Sequence, residues 1–137
     1  MITTIKRWWN RRKDYRQPLK RGSILVVDDD AEIQMVVGQS LKHLGIDVKL
    51  ANTVDTAIQL LKGHSFDIAV VDLKLRNDSG LAVYDWIRGH DHTIFVVFMT
   101  GNLERLQSCR GFFGVLVKPF DPIHFREMLD ICAIPHK

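Results

Sequence analysis

The sequence predicts an α/β fold in which a doubly wound, five-stranded parallel sheet is covered by helices on both faces. Short runs of β-branched residues alternate with amphipathic stretches, which is the pattern of repeated strand–helix–strand units. The third and fourth runs are almost continuously apolar, as expected for strands that are buried on both faces. Polar residues follow the ends of these runs, where open α/β sheets bind their ligands.

The elements follow one another from Ser23 onward. The predicted strands are residues 24–27, 47–51, 66–71, 93–99 and 114–117. Asp30 is expected to cap the first helix, and Gly45 to end it. Because little chain lies between the fourth strand and Gly111, the fourth helix is predicted to be shortened. A last helix starts at Asp121 or Pro122, and right-handed crossovers then give the flavodoxin-like strand order 2-1-3-4-5.

Several large apolar side chains are predicted to pack in the core and not to line a cofactor site. Met35 and Met128 lie at helical spacing with other apolar residues. Phe112 and Phe113 stand just before the fifth strand, where core packing is favoured over an exposed contact patch.

The bulk composition is that of one folded domain. The chain has 137 residues, of which 46% are hydrophobic and 26% charged. No apolar run is long enough to span a bilayer, and the first residues lack the pattern of a secretory signal, so a cytoplasmic location is expected. Cys109 and Cys132 are far apart and lack a metal-ligand spacing, which fits a reducing compartment.

The first 22 residues form a basic, tryptophan-containing extension, and we place the domain itself at residues 23–137. Residues 1–22 hold eight Lys and Arg against Asp14 alone. The alternatives are a flexible charged arm, a membrane or nucleic-acid contact, and a protein contact in cis or between subunits. Adjacent Trp8 and Trp9 are unusual in a solvating arm, so we favour the protein contact.

Five polar residues stand at the ends of predicted strands and form the candidate site. They are Asp28 and Asp29 after the first strand, Asp72 after the third, Thr100 after the fourth and Lys118 after the fifth. In the order 2-1-3-4-5 the first and third strands are neighbours, so the three carboxylates should converge. Because adjacent carboxylates resist joint ionisation, a divalent cation is expected among them, and Mg²⁺ prefers such oxygen ligands. Asp72 can then act as a carboxylate nucleophile towards phosphorus, with Lys118 sharing the incoming charge.

Four short motifs at these strand ends make the chain resemble the CheY-like receiver domain of bacterial two-component response regulators. They are VVDDD at 26–30, VVDLKL at 70–75 with Gly80 beyond, MTG at 99–101, and VKPF at 117–120. The resemblance covers about residues 23–134, and four motifs in the right order are specific where each alone is weak. It implies a phosphoacceptor protein of a histidine-to-aspartate phosphorelay, which is a signalling domain and not an enzyme acting on a separate substrate.

The resemblance also implies the role of each site residue. Asp72 would be the phosphoacceptor, and Asp28 and Asp29 the acidic pair that serves Mg²⁺, with Asp29 favoured as the direct ligand. The backbone carbonyl of Lys74 would be a further ligand. The implied partners are a histidine kinase or phosphotransfer protein and a downstream protein target, with a homodimer as a further expectation. A nucleic-acid or membrane contact of the N-terminal extension is not favoured.

The resemblance assigns the switch to Thr100, whose hydroxyl would move to the phosphoryl group, and to Lys118, whose ammonium would pair with it. The peptide bond before Pro119 is expected to be cis, as in the family. Val115 stands where the family usually has Tyr or Phe, and Arg76 where a proline is common. With the short fourth helix, these departures indicate that the coupling of phosphorylation to output differs from that of the family.

Besides nucleic-acid binding through residues 1–22, two rival functions remain. A degenerate receiver that serves as a constitutive protein-binding or dimerisation module is favoured by Val115 and opposed by the retained acids and lysine. A phosphatase of the same topology would need a second catalytic acid two residues after the nucleophile, and Lys74 occupies that place.

Overall fold

The computed structural model describes residues 2–3, 22–91, 93–106, 112–118 and 121–137. The strands are β1 Ile2–Thr3, β2 Ser23–Val27, β3 Asp47–Ala51, β4 Ile68–Asp72, β5 Lys74–Leu75, β6 Asp78–Ser79, β7 Phe95–Thr100 and β8 Gly114–Val117. The helices are α1 Ala31–His43, α2 Val54–Gly63, α3 Leu81–His90 and α4 Ile123–Ile131, with a 3-10 helix at Leu103–Leu106.

Five parallel strands form the body of the sheet, which confirms the predicted fold class. The order across the sheet is β1-β8-β7-β4-β2-β3, so the parallel strands follow the flavodoxin-like order 2-1-3-4-5. The register between β2 and β4 pairs Val27 with Val71, and that between β4 and β7 pairs Asp72 with Met99. The carboxyl ends of these strands therefore lie level at one edge of the sheet.

The helices cover both faces of the sheet, because successive residues of a strand point to opposite sides. In β2, Ile24 and Val26 pack in one core cluster and Leu25 and Val27 in the other. The first cluster also contains buried residues of α1 and α4, and the second contains those of α2 and α3. This two-sided burial explains why the central strands are apolar except at their ends.

The helix ends follow the signals in the sequence. Asp30 caps α1, where its Oδ1 accepts hydrogen bonds from the backbone N–H groups of Glu32 and Ile33 at 2.9 and 3.3 Å. Gly45 follows the end of α1 with φ of +84°, a left-handed conformation that glycine adopts without strain. The two predictions about this helix are therefore confirmed.

The crossover between β7 and β8 agrees with a shortened fourth helix. Its described part contains a 3-10 helix of four residues, and residues 107–111, which include Cys109, lie outside the described residues. Phe112 and Phe113 are buried, as predicted. Phe113 contacts Phe95 with ring centroids 4.4 Å apart, so these aromatic residues anchor the short crossover to the core.

The structure differs from the sequence prediction in two elements and in the burial of one side chain. Strand β1 adds a sixth, antiparallel strand to the edge of the sheet, with Ile2 opposite Leu116. The loop after Asp72 forms the antiparallel hairpin β5–β6. The core prediction for Met35 is wrong, because its side chain is 59% exposed on α1, whereas that for Met128 is confirmed.

Cys132 is buried. None of the helices in the described part of the chain is both long enough and apolar enough to cross a membrane.

Candidate functional site

Three carboxylates meet at the carboxyl edge of the sheet, as the sequence predicted. Asp28 follows β2 directly, Asp29 comes next, and Asp72 is the last residue of β4. One oxygen from each of the three carboxylates lies within 4.8 Å of the others. Asp28 and Asp72 are buried and Asp29 is half-buried, so the cluster opens to solvent on the side of Asp29.

Asp28 is the most enclosed of the three acids. Its Oδ1 accepts a hydrogen bond from the backbone N–H of Asp30 at 2.8 Å. Burial raises the pKa of Asp28 from 3.8 to about 6, although the hydrogen bond from Asp30 and the charge of Lys118 act in the opposite direction. The negative charge of Asp72 contributes to this raised pKa, to a smaller extent than burial. Asp28 therefore becomes easier to ionise when a positive charge joins the cluster.

Lys118 supplies one positive charge at this edge. Its Nζ lies 3.0 Å from Oδ2 of Asp72 and 3.4 Å from Oδ2 of Asp28, so the ammonium bridges two acids from different strands. Its backbone N–H donates to the carbonyl of Thr100 at 2.9 Å, which fixes the end of β8 against β7. Burial lowers the pKa of Lys118, but hydrogen bonds and charges from Asp72 and Asp28 outweigh it and the net pKa is raised. The lysine therefore stays charged.

The hairpin β5–β6 holds the backbone that follows Asp72. The N–H of Lys74 donates to Oδ1 of Asp72 at 3.1 Å, and the N–H of Gly80 donates to the carbonyl of Leu73 at 2.9 Å. A Cβ on Gly80 would overlap the carbonyl oxygen of Asp72 and would lie 2.8 Å from Cγ1 of Val71. The glycine is therefore required because α3 starts against the backbone of the candidate phosphoacceptor. A contact of the Lys74 carbonyl with a cation stays a prediction.

Thr100 lies at the same edge but bonds within its own turn. Its hydroxyl accepts from the N–H of Asn102 at 2.9 Å and donates to the Asn102 carbonyl at 3.1 Å. The side chain is buried, so the hydroxyl has to leave these bonds in order to reach a group on Asp72. Its role as a switch residue stays a prediction.

A cleft of about 400 Å³ reaches the acidic cluster from solvent. Asp29 lies at one wall, and Asn52 and Thr53 follow β3. Leu75 ends β5, and Arg76 belongs to the loop between β5 and β6. The cleft gives an incoming group access to the exposed side of the cluster.

At the altered switch position, Val115 is buried and lies opposite Phe98 in the register of β7 and β8. The aromatic side chains near it come from elsewhere: Phe98 contacts both Tyr84 and Phe112 with centroid distances of 5.5 Å. Pro119 lies outside the described residues, so the predicted cis peptide bond is not tested.

The donor set fits a hard divalent cation. When Asp28, Asp29 and Asp72 are ionised, Lys118 balances one of three negative charges. Carboxylate oxygens within 4.8 Å of one another are close enough to share a small ion. Burial, and to a smaller extent the charge of Asp72, raise the pKa of Asp28, so a cation among the three carboxylates would favour its ionised form.

Sequence reasoning missed three contributors to the site, all of which act through the backbone. The N–H groups of Asp30 and Lys74 each bond a carboxylate two residues earlier, and Asn102 holds the Thr100 hydroxyl. Asx-type and Ser/Thr-type turns of this kind have a local signal, namely a short polar side chain at the start of a turn.

The fold and the acidic edge define an α/β domain of the receiver class. The family model for the response regulator receiver domain matches residues 24–130. The chain therefore belongs to that family and is a receiver domain of two-component signalling, which confirms the resemblance found in the sequence.

Individual relatives agree with this assignment. The response regulator protein PilR of Pseudomonas aeruginosa is 30% identical over 115 residues, which cover 81% of this chain and 26% of PilR. This chain thus spans about a quarter of the length of that curated relative. Among solved structures, the chemotaxis response regulator CheY4 of Vibrio cholerae has a TM-score of 0.74 at 24% identity, covering 81% of this chain and 98% of that chain. The response regulator TrrA of Thermotoga maritima, solved in complex with Mg²⁺ and BeF, has a TM-score of 0.72 at 22% identity, covering 83% and 99%.

Proposed function

We propose that this receiver domain accepts a phosphoryl group on Asp72 in a Mg²⁺-dependent reaction and thereby switches a protein-interaction surface. The observation that carries the proposal is the meeting of three carboxylates within 4.8 Å, with the ammonium of Lys118 on two of them. A bound Mg²⁺ would be held by Asp28, Asp29, Asp72 and the Lys74 carbonyl. When bound, it would neutralise the carboxylates and draw charge from the phosphoryl oxygens.

The transfer requires a nucleophile, a leaving group and charge neutralisation. A carboxylate oxygen of Asp72 attacks the phosphorus of a phosphohistidine, forming a P–O bond while the P–N bond breaks. The departing imidazole keeps the bonding pair and takes a proton. The N–H of Lys74 holds the other oxygen of Asp72, so the attacking oxygen is oriented before the donor arrives. Hydrolysis returns Asp72 to its free carboxylate, because water attacks the same phosphorus and releases phosphate.

Phosphorylation adds about two negative charges beside Lys118. Its ammonium, which now bridges Asp28 and Asp72, turns to the phosphoryl oxygens, and the Thr100 hydroxyl leaves the Asn102 turn to donate to another. Thr100 ends β7 and Lys118 directly follows the neighbouring strand β8. The movement of these two side chains therefore reaches the surface near the 3-10 helix and α4. This shifts the equilibrium between two surface conformations.

The partners follow from this role. Receiver domains of response regulators act with histidine kinases or phosphotransfer proteins and with downstream targets, and we propose the same for this chain, in the cytoplasm and with residues 23–137 as the phosphorylated unit. A homodimer of that unit is a further proposal. The domain takes part in its own phosphorylation and dephosphorylation but has no separate substrate.

The test is incubation with acetyl phosphate and Mg²⁺, followed by intact mass measurement. Wild type should gain one phosphoryl group, Asp72→Asn should gain none, and the gain should disappear when the cation is chelated. Asp47→Asn is a matched control, because Asp47 is an exposed carboxylate at the start of β3, away from the carboxyl edge of the sheet, and its loss should leave the reaction intact. A wild type that stays unmodified would support the degenerate binding module, which Val115 favours.

A further inference from the structure

Strand β1 occupies the outer edge of β8, by which we mean the backbone of Gly114–Val117 on the side away from β7. Ile2 lies opposite Leu116 and Thr3 opposite Val115 in antiparallel register. Helix α4 also contacts β1. The edge strand of the sheet is therefore covered by the N-terminal residues of the same chain. An uncovered edge would offer its backbone groups to other strands.

The covered strand is the one that carries the site lysine. Leu116, the partner of Ile2, is two residues before Lys118, whose Nζ contacts Asp72 and Asp28. On its other side β8 pairs with β7, and Thr100 lies opposite Val117. Strand β8, which leads directly to Lys118, thus lies between β7, which ends at Thr100, and the N-terminal strand β1. A movement of the carboxyl end of β8 therefore affects its pairing with both neighbours.

The contact between β1 and β8 is small enough to be reversible. A two-residue strand makes few hydrogen bonds, and the net gain from each is similar to the entropy cost of ordering one residue. The docked and undocked states should therefore differ little in free energy, and a modest bias can shift their populations.

The occupant is a segment of this chain and not of a second copy. The start of the domain is fixed at Gly22 and Ser23, whose backbone N–H groups donate to Oδ2 of Asp67 at 2.7 and 3.0 Å. Four strand spacings separate β1 from β2, which is about 19 Å. Eighteen residues separate Thr3 from Gly22, and a chain of that length can span up to about 60 Å, which exceeds the distance required. A tethered strand also has a high effective concentration, whereas a second copy would lose translational and rotational freedom.

We propose that the outer edge of β8 is a docking surface that β1 occupies reversibly, and that its occupancy is linked to the occupation of the Asp72 site through Lys118. The docked strand accompanies the arrangement in which Lys118 bridges Asp28 and Asp72. A phosphoryl group that pairs with the ammonium of Lys118, in place of Asp28 and Asp72, shifts the end of β8 and favours release of β1. By linkage, removal of β1 favours the phosphoryl-bound state to the same extent. This proposal rests on the proposed function.

The test uses Mg²⁺ with beryllofluoride as the phosphoryl mimic on the 137-residue protein. One variant lacks Ile2 and Thr3, so that Met1 joins Thr4. The control variant lacks Asn10 and Gln17 instead. It is also shorter by two uncharged residues but keeps β1. Thermal stabilisation as a function of beryllofluoride concentration gives the apparent affinity, and hydrogen exchange in residues 112–118 reports on the β8 edge.

In wild type and control, beryllofluoride should increase exchange in residues 112–118, and the variant without Ile2 and Thr3 should exchange fast before and after addition. That variant should bind the mimic two- to tenfold more tightly, where tenfold is about 1.4 kcal/mol. Equal affinities in all three proteins would overturn the linkage alone. Stabilisation in none of them would overturn the proposed function as well. If protection of residues 112–118 from hydrogen exchange rises with protein concentration, and light scattering shows a dimer, the docked strand belongs to a second copy of the chain and the proposal of a cis strand is overturned.

Discussion

Replacing Asp28 by Asn should stabilise the protein at neutral pH when Mg²⁺ is absent, even though it removes an ion pair. The pKa of Asp28 in the folded protein is raised from 3.8 to about 6, chiefly by burial. The protonated form is thus favoured by folding, and the associated stability is fully present below pH 3.8 and is lost as the pH rises through about 6.

The size of this effect follows from the pKa difference. Roughly two pKa units at about 1.4 kcal/mol each give about 3 kcal/mol as the cost of ionising Asp28 in the fold. Asn keeps an oxygen for the N–H of Asp30 but leaves Lys118 with Asp72 alone. We therefore expect a net gain of about 1–2 kcal/mol, or a rise of about 4–8 °C in the thermal midpoint.

The assay is thermal unfolding of wild type and Asp28→Asn at about pH 7.5 and about pH 4.5, with and without Mg²⁺. The advantage of the variant should shrink at the lower pH, where Asp28 of the wild type is protonated. Saturating Mg²⁺ should stabilise the wild type more than the variant at the higher pH. Asp29→Asn is the matched control, because it removes the same charge from a half-buried position and should gain less stability.

Two results would refute this reasoning. A variant that is less stable than wild type at about pH 7.5 without Mg²⁺ would show that the ion pair with Lys118 outweighs the burial of Asp28. A difference between the two proteins that is the same at both pH values would show that ionisation of Asp28 does not control it.

Two further predictions concern α3 and the C-terminus. Gly80→Ala should lower the free energy of unfolding by about 2 kcal/mol or more, because a Cβ there overlaps the carbonyl of Asp72. Gly89→Ala, which places a Cβ in open space, should raise that free energy by about 0.5–1 kcal/mol. Denaturant unfolding measures both changes, and equal effects of the two substitutions would contradict the clash. The hydrogen bond from His136 Nε2 to Asp130 Oδ1 at 2.6 Å raises the pKa of His136, so its stabilisation is fully present below pH 6.5 and is lost as the pH rises through the raised pKa. The thermal midpoint of His136→Gln should therefore fall below that of wild type at about pH 5.5 and approach it at about pH 8.5, and a gap that widens with pH would contradict this.

The sequence by itself determined the parallel sheet and the meeting of its acids. Runs buried on both faces are apolar throughout, and connections between parallel strands are right-handed, so few arrangements remain. Since all parallel strands end at one edge, Asp28, Asp72 and Lys118 had to converge once the strand order was given. Local sequence signals were sufficient to predict a helix end where one residue determines it, as with the N-terminal cap at Asp30 and the turn at Gly45.

Only the tertiary structure decided which groups the convergent residues contact and how deeply they are buried. Strands β1, β5 and β6 have two residues each, which is too short for any periodicity to be visible. Met35 continues the apolar pattern of α1 but is exposed, because the sheet and α4 cover only one side of that helix. The bridging position of Lys118 and the raised pKa of Asp28 depend on distances between strands that are far apart in sequence, and these distances arise only when the whole sheet is packed.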